Sequence, residues 1–269
     1  MKSAPLSDHV VILTGASEGI GRALALALAP QRLSLVLAAR NADRLHELAR
    51  ECEAAGSAAL AVPTDVTSEA QCRALIDAAV ARFGRIDVLV NNAGGTMWSR
   101  FDALADWSIF EPLMRLNYLS SVYLTGFALP WLKQTQGRIV AVASMAGLTG
   151  VPERSAYAAT KHAMVGFFDS LRIELEGCGV TVTVIAPDFV RSEIHKRALG
   201  PDGRPLGESP MRQDRIMTAE ECARLIVRAI EKRQRLLVTS ARGRFGRWLK
   251  LIAPRAIDRI AARAIRERH

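Results

Sequence analysis

Short apolar runs alternate with helix-forming segments along most of the chain. The first run, VVILT at residues 10–14, is β-branched and apolar throughout, which is typical of a strand buried on both faces. When helices separate successive strands, each connection is a crossover and the strands lie parallel. The sequence therefore predicts an α/β fold, a doubly wound, seven-stranded and mainly parallel sheet with helices on both faces, with strands at residues 10–14, 33–38, 58–62, 86–90, 138–143, 180–186 and 236–239.

The length of 269 residues suits one large α/β domain, and no Ser/Gly linker or internal repeat argues for two. We expect a single domain over residues 1–240, with a lid rich in Gly, Pro and charge at about 190–217, and an extension over 241–269. The polar N-terminus predicts no signal peptide, and no later apolar run is long enough to cross a bilayer. The scattered cysteines predict reduced, mostly structural thiols in a cytoplasmic protein and no metal site; they are Cys52, Cys72, Cys178 and Cys222.

A glycine-rich turn, TGASEGIG, follows the first strand, and the helix-forming run from Ala23 to Ala29 comes after it. In that context backbone amides and the helix N-terminus can meet a pyrophosphate. The spacing is G-x-x-x-G-x-G, and taken alone it is as typical of a plain tight turn as of a cofactor site. The candidate dinucleotide contacts in this turn are Gly15, Ser17, Gly19, Ile20 and Gly21.

The second strand ends at Ala39 and Arg40. An acid near this point binds the ribose hydroxyls of NAD, whereas an arginine accommodates the 2′-phosphate of NADP. These two residues favour NADP(H), although a solvated arginine at the start of the next helix is an alternative and NAD(H) stays open. Glu18 in the glycine turn argues the other way, because an acid repels a 2′-phosphate.

Further candidates follow the third and fourth strands. Asp65, with Val66 beside it, either contacts an adenine amine or organises the turn before the next helix. The run NNAGG supplies Asn91, Ala93 and Gly94, which are ordinary turn formers that also place backbone near a ligand. Ligands of open α/β sheets gather at the carboxyl ends of the strands, so we expect these residues to share one site.

Tyr157 and Lys161 lie four residues apart, so on a helix they share a face. A positive charge about 4 Å from a phenol, at an effective dielectric of about 20, lowers the pKa of the phenol by roughly three units. Ser144 ends the fifth strand and could hydrogen-bond the oxygen whose proton Tyr157 moves. Asn117 lies inside a segment that is predicted to be mainly helical, residues 107–134, where asparagine is unfavourable and is either solvated or used. Alone, the Tyr-x-x-x-Lys pair is more typical of an ordinary helix face.

Together these motifs resemble the short-chain dehydrogenase/reductase family over roughly residues 8–240. TGASEGIG resembles its glycine motif, Asp65 its adenine-contacting acid and NNAG its motif after strand four. The residues that resemble its catalytic tetrad, in order and spacing, are Asn117, Ser144, Tyr157 and Lys161. The resemblance implies a Rossmann-like fold, hydride transfer between a nicotinamide and a carbonyl or alcohol carbon, and a homodimer or homotetramer.

The resemblance also implies a role for each of these residues. Tyr157 would be the general acid/base and Ser144 would orient the substrate oxygen. Lys161 would bind the nicotinamide ribose and lower the pKa of the phenol, and Asn117 would hold a water that relays protons. After strand six, Pro187 and Val190 would contact the cofactor.

Three residues depart from the family pattern. One is Glu18, which lies where NADP-preferring relatives often carry a basic residue in the glycine turn. Asp188 follows Pro187 where the family commonly has glycine, which puts that part of the pocket in doubt. Met145 stands where a second serine is frequent, a change that we expect to be tolerated. Residues that flank the expected site favour an apolar, lipid-like or steroid-like substrate, although they are equally typical of a core: Met97, Trp98, Leu148, Val151 and Phe189.

The last 37 residues hold eleven Lys and Arg against two acidic residues, and therefore carry the whole formal charge of +9. The rest of the chain is neutral, so a nucleic-acid partner for the domain is not expected. Apolar residues at helical spacing, with a tryptophan and arginines on other faces, are typical of an interfacial membrane helix. They are also typical of a helix docked on the protein or on a partner subunit. The alternative to an enzyme is a weakly catalytic nucleotide-binding or scaffolding protein, tethered by this tail to a partner or to the inner face of a membrane.

Overall fold

A computed structural model of the chain describes residues 6–209, 211 and 216–266. One sheet of seven parallel strands runs through it in the order β3-β2-β1-β4-β5-β6-β7. The strands are β1 Val10–Thr14, β2 Ser34–Ala39, β3 Ala58–Pro63, β4 Val88–Asn91, β5 Arg138–Val142, β6 Thr181–Ala186 and β7 Leu236–Val238. The predicted sheet is confirmed, and it is parallel throughout rather than mainly parallel.

Helices cover both faces of this sheet. They are α1 Gly19–Leu28, α2 Ala42–Ala54, α3 Glu69–Phe83, α4 Phe110–Met114, α5 Ser120–Gln134, α6 Ser155–Glu174, α7 Ala219–Glu231, α8 Ala241–Ile252 and α9 Pro254–Arg266. Alternate residues of a strand face opposite sides. In β1, Val11 and Leu13 pack with α1, α2 and α7, whereas Val10 and Ile12 pack with α3, α5 and α6.

Two helical regions differ from the sequence prediction in their bounds. Helix α1 begins at Gly19, inside the glycine turn, and so starts four residues before the predicted position. The segment predicted as mainly helical over residues 107–134 is divided into a 3₁₀ turn, α4, the π turn Arg115–Leu119 and α5. The π turn holds Asn117, whose side chain bonds to a neighbouring loop, and this use of the residue accounts for the break in helical regularity.

The strand order reverses between β1 and β4, where an open α/β sheet forms a crevice. Thr14 and Asn92 hold the two strand ends together at this point. The Thr14 hydroxyl oxygen accepts from the amides of Asn92 at 3.0 Å and Ala93 at 3.1 Å, and Asn92 Nδ2 donates to the Thr14 carbonyl at 2.8 Å. The crevice therefore has a fixed floor, made by neighbouring β1 and β4.

The predicted lid and tail lie at the carboxyl side of the sheet. The lid segment contains a short turn, Glu193–His195, and pairs through Val190 with Met217; its residues 210 and 212–215 lie outside the described part of the chain. The tail forms two packed helices, α8 and α9, and residues 267–269 are likewise outside the description. Among the described residues, no helix is long and apolar enough to cross a membrane.

Candidate active site

A cleft of about 1020 Å³ lies over the carboxyl ends of the strands. It brings together most of the residues that the sequence predicted: Gly15, Ser17, Gly19, Ile20, Gly21, Arg40, Asp65, Val66, Ala93, Gly94, Ser144, Tyr157, Lys161, Pro187 and Val190. Asn91 and Asn117 do not line it. The glycine turn and the Tyr157–Lys161 pair, 136 residues apart at their nearest members, thus share one cavity.

The glycine turn forms a cradle that larger residues would fill. Gly15 has a φ of +63°, and a Cβ there would lie 2.9 Å from the Cα of Ala93. A Cβ on Gly21 would lie 2.1 Å from the carbonyl oxygen of Gly15. Glu18, at the N-cap of α1, makes no capping bond within the described chain, so the first amides of α1 stay available to an anion. The turn therefore fits a dinucleotide pyrophosphate.

Glu18 is neutralised by two arginines that sequence reasoning missed. Its carboxylate lies 3.3 Å from Arg44 Nη1 and also contacts Arg197, from the segment after β6. Both arginines line the cleft with the predicted Arg40. Arg44 could have been found from its position in the first turn of α2, whereas Arg197 comes from the lid, for which the sequence predicts no local structure.

Asp65 organises the turn before α3, which was one of its two predicted roles. Its Oδ1 accepts from the Thr67 amide at 2.9 Å and from the Thr67 hydroxyl at 2.8 Å. These two bonds, with a smaller effect of the Arg40 charge, hold the pKa of the carboxyl below its usual range. Asp65 also lines the cleft, so a contact with a ligand is compatible with this turn.

Tyr157 and Ser144 both line the cleft. Burial raises the pKa of the Tyr157 phenol, while the hydrogen bond with Ser144 and the charge of Arg154 act in the opposite direction. Ser144 Oγ also accepts from the Ala146 amide at 3.1 Å, which fixes the serine at the end of β5. The charge of Arg154, a residue that sequence reasoning missed, thus acts to lower the pKa of the phenol; the predicted effect of Lys161 on this pKa stays a prediction.

Lys161 is buried beneath the tyrosine. Its Nζ donates to the carbonyl oxygen of Val142 at 2.9 Å and lies 5.8 Å from the centroid of the Tyr157 ring. Burial lowers the pKa of the ammonium to about 8. The expected placement of Tyr157 and Lys161 on one face of α6 is therefore present.

Asn117 holds the loop beside Lys161. Its Nδ2 donates to the Gly95 carbonyl at 3.0 Å and to Thr160 Oγ1 at 2.9 Å, and its Oδ1 accepts from the Gly95 amide at 2.8 Å. A Cβ on Gly94 would lie 3.0 Å from Asn117 Oδ1 and 3.6 Å from Lys161 Nζ. The side-chain amide thus sets the position of the cleft wall; its predicted role in holding a water stays a prediction.

Asn91 does not reach the cleft. It is the last residue of β4, it is buried, and its Nδ2 donates to Thr125 Oγ1 on α5 at 3.2 Å. The next residue, Asn92, lines the cleft instead. The side chains of Asn91 and Asn92 thus face different sides of the sheet, and the predicted cofactor contact of Asn91 stays a prediction.

Asp188 links the end of β6 to α8. This link gives a structural role to the aspartate that stands where the family commonly has glycine. Its carboxylate accepts from Ser240 Oγ at 2.8 Å, and Arg242 lies 3.0 and 3.1 Å from its two oxygens. Asp188 lines the cleft, and its carboxylate bonds to residues at the start of the tail. The glycine of the family pattern is therefore replaced here by an anchor for the extension.

The tail docks on the body of the protein and closes one side of the cleft. Lys250 Nζ donates to the Leu148 carbonyl at 2.9 Å, and a Cβ on Gly243 would lie 2.8 Å from Met145 Sδ. Six tail residues line the cleft: Arg242, Gly243, Gly246, Ile257, Ile260 and Ala261. One face of the tail is therefore docked on the protein, as one of the two sequence interpretations expected.

Three of the five residues expected to contact an apolar substrate line the cleft: Trp98, Val151 and Phe189. Met97 is instead fully buried in a small core cluster, and Leu148 serves α8 through its carbonyl. Arg154, only 6% exposed, has its guanidinium carbon 4.0 Å from the ring centroid of Trp98 and 5.3 Å from that of Phe189. A loop arginine gives no sequence signal of such burial.

The sequence model of the family described as short chain dehydrogenase matches residues 9–200. The chain is 37% identical over 254 residues, 94% of this chain and 83% of the relative, to "11-beta-hydroxysteroid dehydrogenase-like 4A" of Arabidopsis thaliana. Its fold is similar to that of a short chain dehydrogenase/reductase from Burkholderia phymatum in complex with NAD, with a TM-score of 0.82, 27% identity and coverage of 94% and 96% of the two chains. It is also similar to an alcohol dehydrogenase from Thermococcus sibiricus complexed with 5-hydroxy-NADP, with a TM-score of 0.74, 26% identity and coverage of 86% and 95%.

The parallel sheet, the glycine cradle and these matches define a nicotinamide-dependent oxidoreductase. The chain belongs to the short-chain dehydrogenase/reductase family. It is accordingly an NAD(P)-dependent dehydrogenase or reductase that acts on CH–OH or C=O groups.

Proposed function

We propose that this chain is an NADP(H)-dependent oxidoreductase of an apolar, steroid-like ketone or secondary alcohol, with Tyr157 as the general acid/base. The observation that carries the proposal is that Tyr157 and Ser144 line the same cleft as the glycine cradle. A hydroxyl and a phenol that converge in this way can take one substrate oxygen between them.

Each residue then has a defined task. The bound nicotinamide supplies or accepts the hydride. Tyr157 gives its proton to the substrate oxygen in reduction and takes it back in oxidation, and Ser144 hydrogen-bonds the same oxygen. Lys161, buried one turn along α6, would hold the ribose next to the nicotinamide. Because burial raises the pKa of the phenol, Tyr157 is protonated near pH 7 and suits reduction.

The preference for NADP(H) rests on the charges around the end of β2. Ala39 offers no carboxylate for ribose hydroxyls, and Glu18, the acid that argued against a phosphate, is already paired with Arg44 and Arg197. Arg40 is exposed at the cleft and adds further positive charge. The site therefore attracts a 2′-phosphate.

Titration of the protein with NADPH and NADH, followed by nicotinamide fluorescence, tests this preference. Loss of one charge-assisted contact in Arg40→Ala should weaken NADPH binding by about tenfold or more and leave NADH binding unchanged. Arg50→Ala, at an exposed arginine on the following helix α2, is the control. Tighter binding of NADH than NADPH by the wild type would refute the NADP(H) assignment.

The apolar substrate is supported by the cleft wall and by a relative. Trp98, Val151 and Phe189 face Ile257 and Ile260 of the tail across one cavity, and the Arabidopsis relative carries a hydroxysteroid dehydrogenase name. A panel of steroid and other cyclic ketones, assayed by NADPH absorbance, should give turnover that Tyr157→Phe abolishes. If carbonyl-dependent NADPH oxidation continues unchanged in Tyr157→Phe, the catalytic assignment is wrong.

We also propose that the tail holds the protein at an anionic lipid surface, such as the inner face of a membrane. Its outer face exposes four apolar side chains by 68–80%: Phe245, Trp248, Leu251 and Ile252. Arginines surround them, and such a combination partitions into lipid interfaces.

Flotation with phosphatidylcholine vesicles, with and without phosphatidylserine, tests the lipid proposal. The wild type should float with the anionic vesicles, and a Phe245→Ser/Trp248→Ser variant should not. Trp107→Ser, which alters a tryptophan that is 66% exposed outside the tail, should behave as the wild type. Equal flotation of all three proteins would end the lipid proposal.

The homodimer or homotetramer expected from the family resemblance remains part of the proposal. Light scattering during size-exclusion chromatography measures the mass directly. A mass of one chain, 29.3 kDa, would contradict it.

A further inference from the structure

A buried histidine in the cleft wall has a ring nitrogen without a protein partner. His195 is 6% exposed and lines the cleft, and its Nε2 lies 3.1 Å from the Val190 carbonyl oxygen. Its Nδ1 is buried and has no hydrogen-bond partner among the residues that the structure describes. Such atoms are rare because an unsatisfied buried group costs about 1–3 kcal/mol. Because this nitrogen has almost no accessible surface, a ligand group in the cleft satisfies it only when the imidazole or its cover shifts on binding.

The contact with Val190 determines which nitrogen carries the proton. A carbonyl oxygen only accepts hydrogen bonds, so Nε2 must be the protonated nitrogen. Burial, with a smaller effect of the Arg154 charge, lowers the pKa of His195, and the ring is therefore neutral near pH 7. In a neutral ring protonated at Nε2, Nδ1 is a lone-pair acceptor.

The surrounding wall does not supply a donor to Nδ1. Trp98 meets the imidazole edge-on, with ring centroids 6.5 Å apart, but its indole N–H donates to Glu153 Oε2 at 3.0 Å. Arg154 lies on the Trp98 ring and influences His195 by charge, without a hydrogen bond to Nδ1. His195 Nδ1 is thus a hydrogen-bond acceptor without a donor among the described residues of the cleft wall.

We propose that His195 Nδ1 accepts a hydrogen bond from a substrate hydroxyl other than the reacting group. The inference rests on the proposed function, which makes this cleft the substrate site and assigns the reacting oxygen to Ser144 and Tyr157. The substrate is then an apolar cyclic ketone that carries a second hydroxyl, or the corresponding diol. A ketone whose second oxygen can only accept a hydrogen bond would leave Nδ1 unsatisfied and would bind less well.

The test uses matched saturated steroid ketones that differ only in one substituent. In one series the ketone is on the first ring and the last ring carries a hydroxyl, a methoxy group or hydrogen; in the other series the positions are reversed. Affinity is measured by fluorescence on the Tyr157→Phe protein with NADPH bound, so that binding is separated from turnover. In at least one series the hydroxyl compound should bind about tenfold more tightly than the other two.

Variants assign that preference to the imidazole. His195→Leu should bind the three compounds alike, whereas His195→Asn, which keeps an acceptor oxygen near the position of Nδ1, should retain part of the preference. His162→Leu is the control, since His162 is exposed on α6 and bonds its own helix through the Ala158 carbonyl. NADPH affinity should be the same in all of these proteins.

Several results would overturn the proposal. They are equal affinity for the hydroxyl and methoxy compounds in both series, an unchanged preference in His195→Leu, or no binding of any compound. The comparison of hydroxyl with methoxy needs no histidine variant, so it stands even if His195→Leu does not fold. If the preference is found but no ketone supports NADPH oxidation by the wild type, the proposed reaction fails and the role of His195 stands.

Discussion

Arg242, in the first turn of α8, contacts both carboxylate oxygens of Asp188, the residue that follows Pro187 after β6. The Arg242 side chain is 77% exposed and that of Asp188 is 18% exposed, so the ion pair itself adds little to stability. Ser240, the N-cap of α8, donates to the same carboxylate and accepts from the Gly243 amide. Asp188 thus fixes where α8 begins, and with it the tail wall of the cleft.

Asp188→Ala should loosen that wall. We expect a rise in the substrate KM of about three- to tenfold with little change in kcat, because the tail lines the cleft whereas Ser144 and Tyr157 lie on other elements. Arg242→Ala should give a smaller rise in KM. Arg247→Ala, an exposed arginine on the same helix, is the control. An identical KM in all three variants would show that the contact does not position the tail.

The pH dependence of the two reaction directions should differ. Burial raises the pKa of Tyr157, so the phenol that reduction needs is present throughout neutral pH, whereas the phenolate that oxidation needs is scarce. The kcat/KM of alcohol oxidation should therefore rise by up to about tenfold per pH unit between about pH 7 and 9, while that of reduction stays flat. Oxidation that reaches its plateau below pH 7 would contradict this order.

Arg154 should influence that profile. Its charge lowers the pKa of the phenol, so Arg154→Met should move the rising limb of oxidation to higher pH, and Arg154→Lys should move it less. The measurement is the same kcat/KM profile in both variants. A profile that does not move would show that the cation acts only on packing against Trp98.

The glycine cradle predicts a strong effect of one methyl group. Gly21→Ala places a Cβ 2.1 Å from the Gly15 carbonyl oxygen, so the turn must shift and NADPH affinity should fall by about 100-fold. Gly126 lies at an exposed position of α5, where a Cβ would meet nothing within 4 Å. Gly126→Ala should therefore raise the free energy of unfolding by about 0.5–1 kcal/mol. Equal NADPH affinity in the two variants would show that the cradle is not the cofactor site.

The sheet could be predicted from the sequence because local pattern decides it. A run such as Val10–Thr14 is buried on both faces whatever lies beyond it, and the crossover rule then gives the parallel order. The same rule gathers residues such as Asp65 and Ser144 at one edge. Asn91 and Asn92 show the limit, since the two neighbours have the same local chemistry and the sequence does not say which side chain faces the cleft.

Contacts between distant segments could not be predicted in this way. Glu18 reads as repulsive to a phosphate until Arg197, nearly 180 residues away, is known to contact it. Asp188 likewise reads as a defect until its bonds to α8 are known. Both depend on where the lid and tail return to the sheet. The lid has no periodic pattern, and the helical spacing of the tail does not say where its helices dock.

Lys161 predicts a dependence of stability on pH. Burial lowers its pKa to about 8 in the folded protein, from about 10.4 in an unfolded chain. Between these values the unfolded state binds more protons, so the free energy of unfolding rises with pH, by up to about 3 kcal/mol in all. Urea unfolding without cofactor should therefore show the wild type gaining stability relative to Lys161→Met from about pH 8 to 10. Lys133 is exposed, so the difference in free energy of unfolding between the wild type and Lys133→Met should not change with pH. If the difference for Lys161→Met is also constant, the Lys161 ammonium is solvated in the folded state.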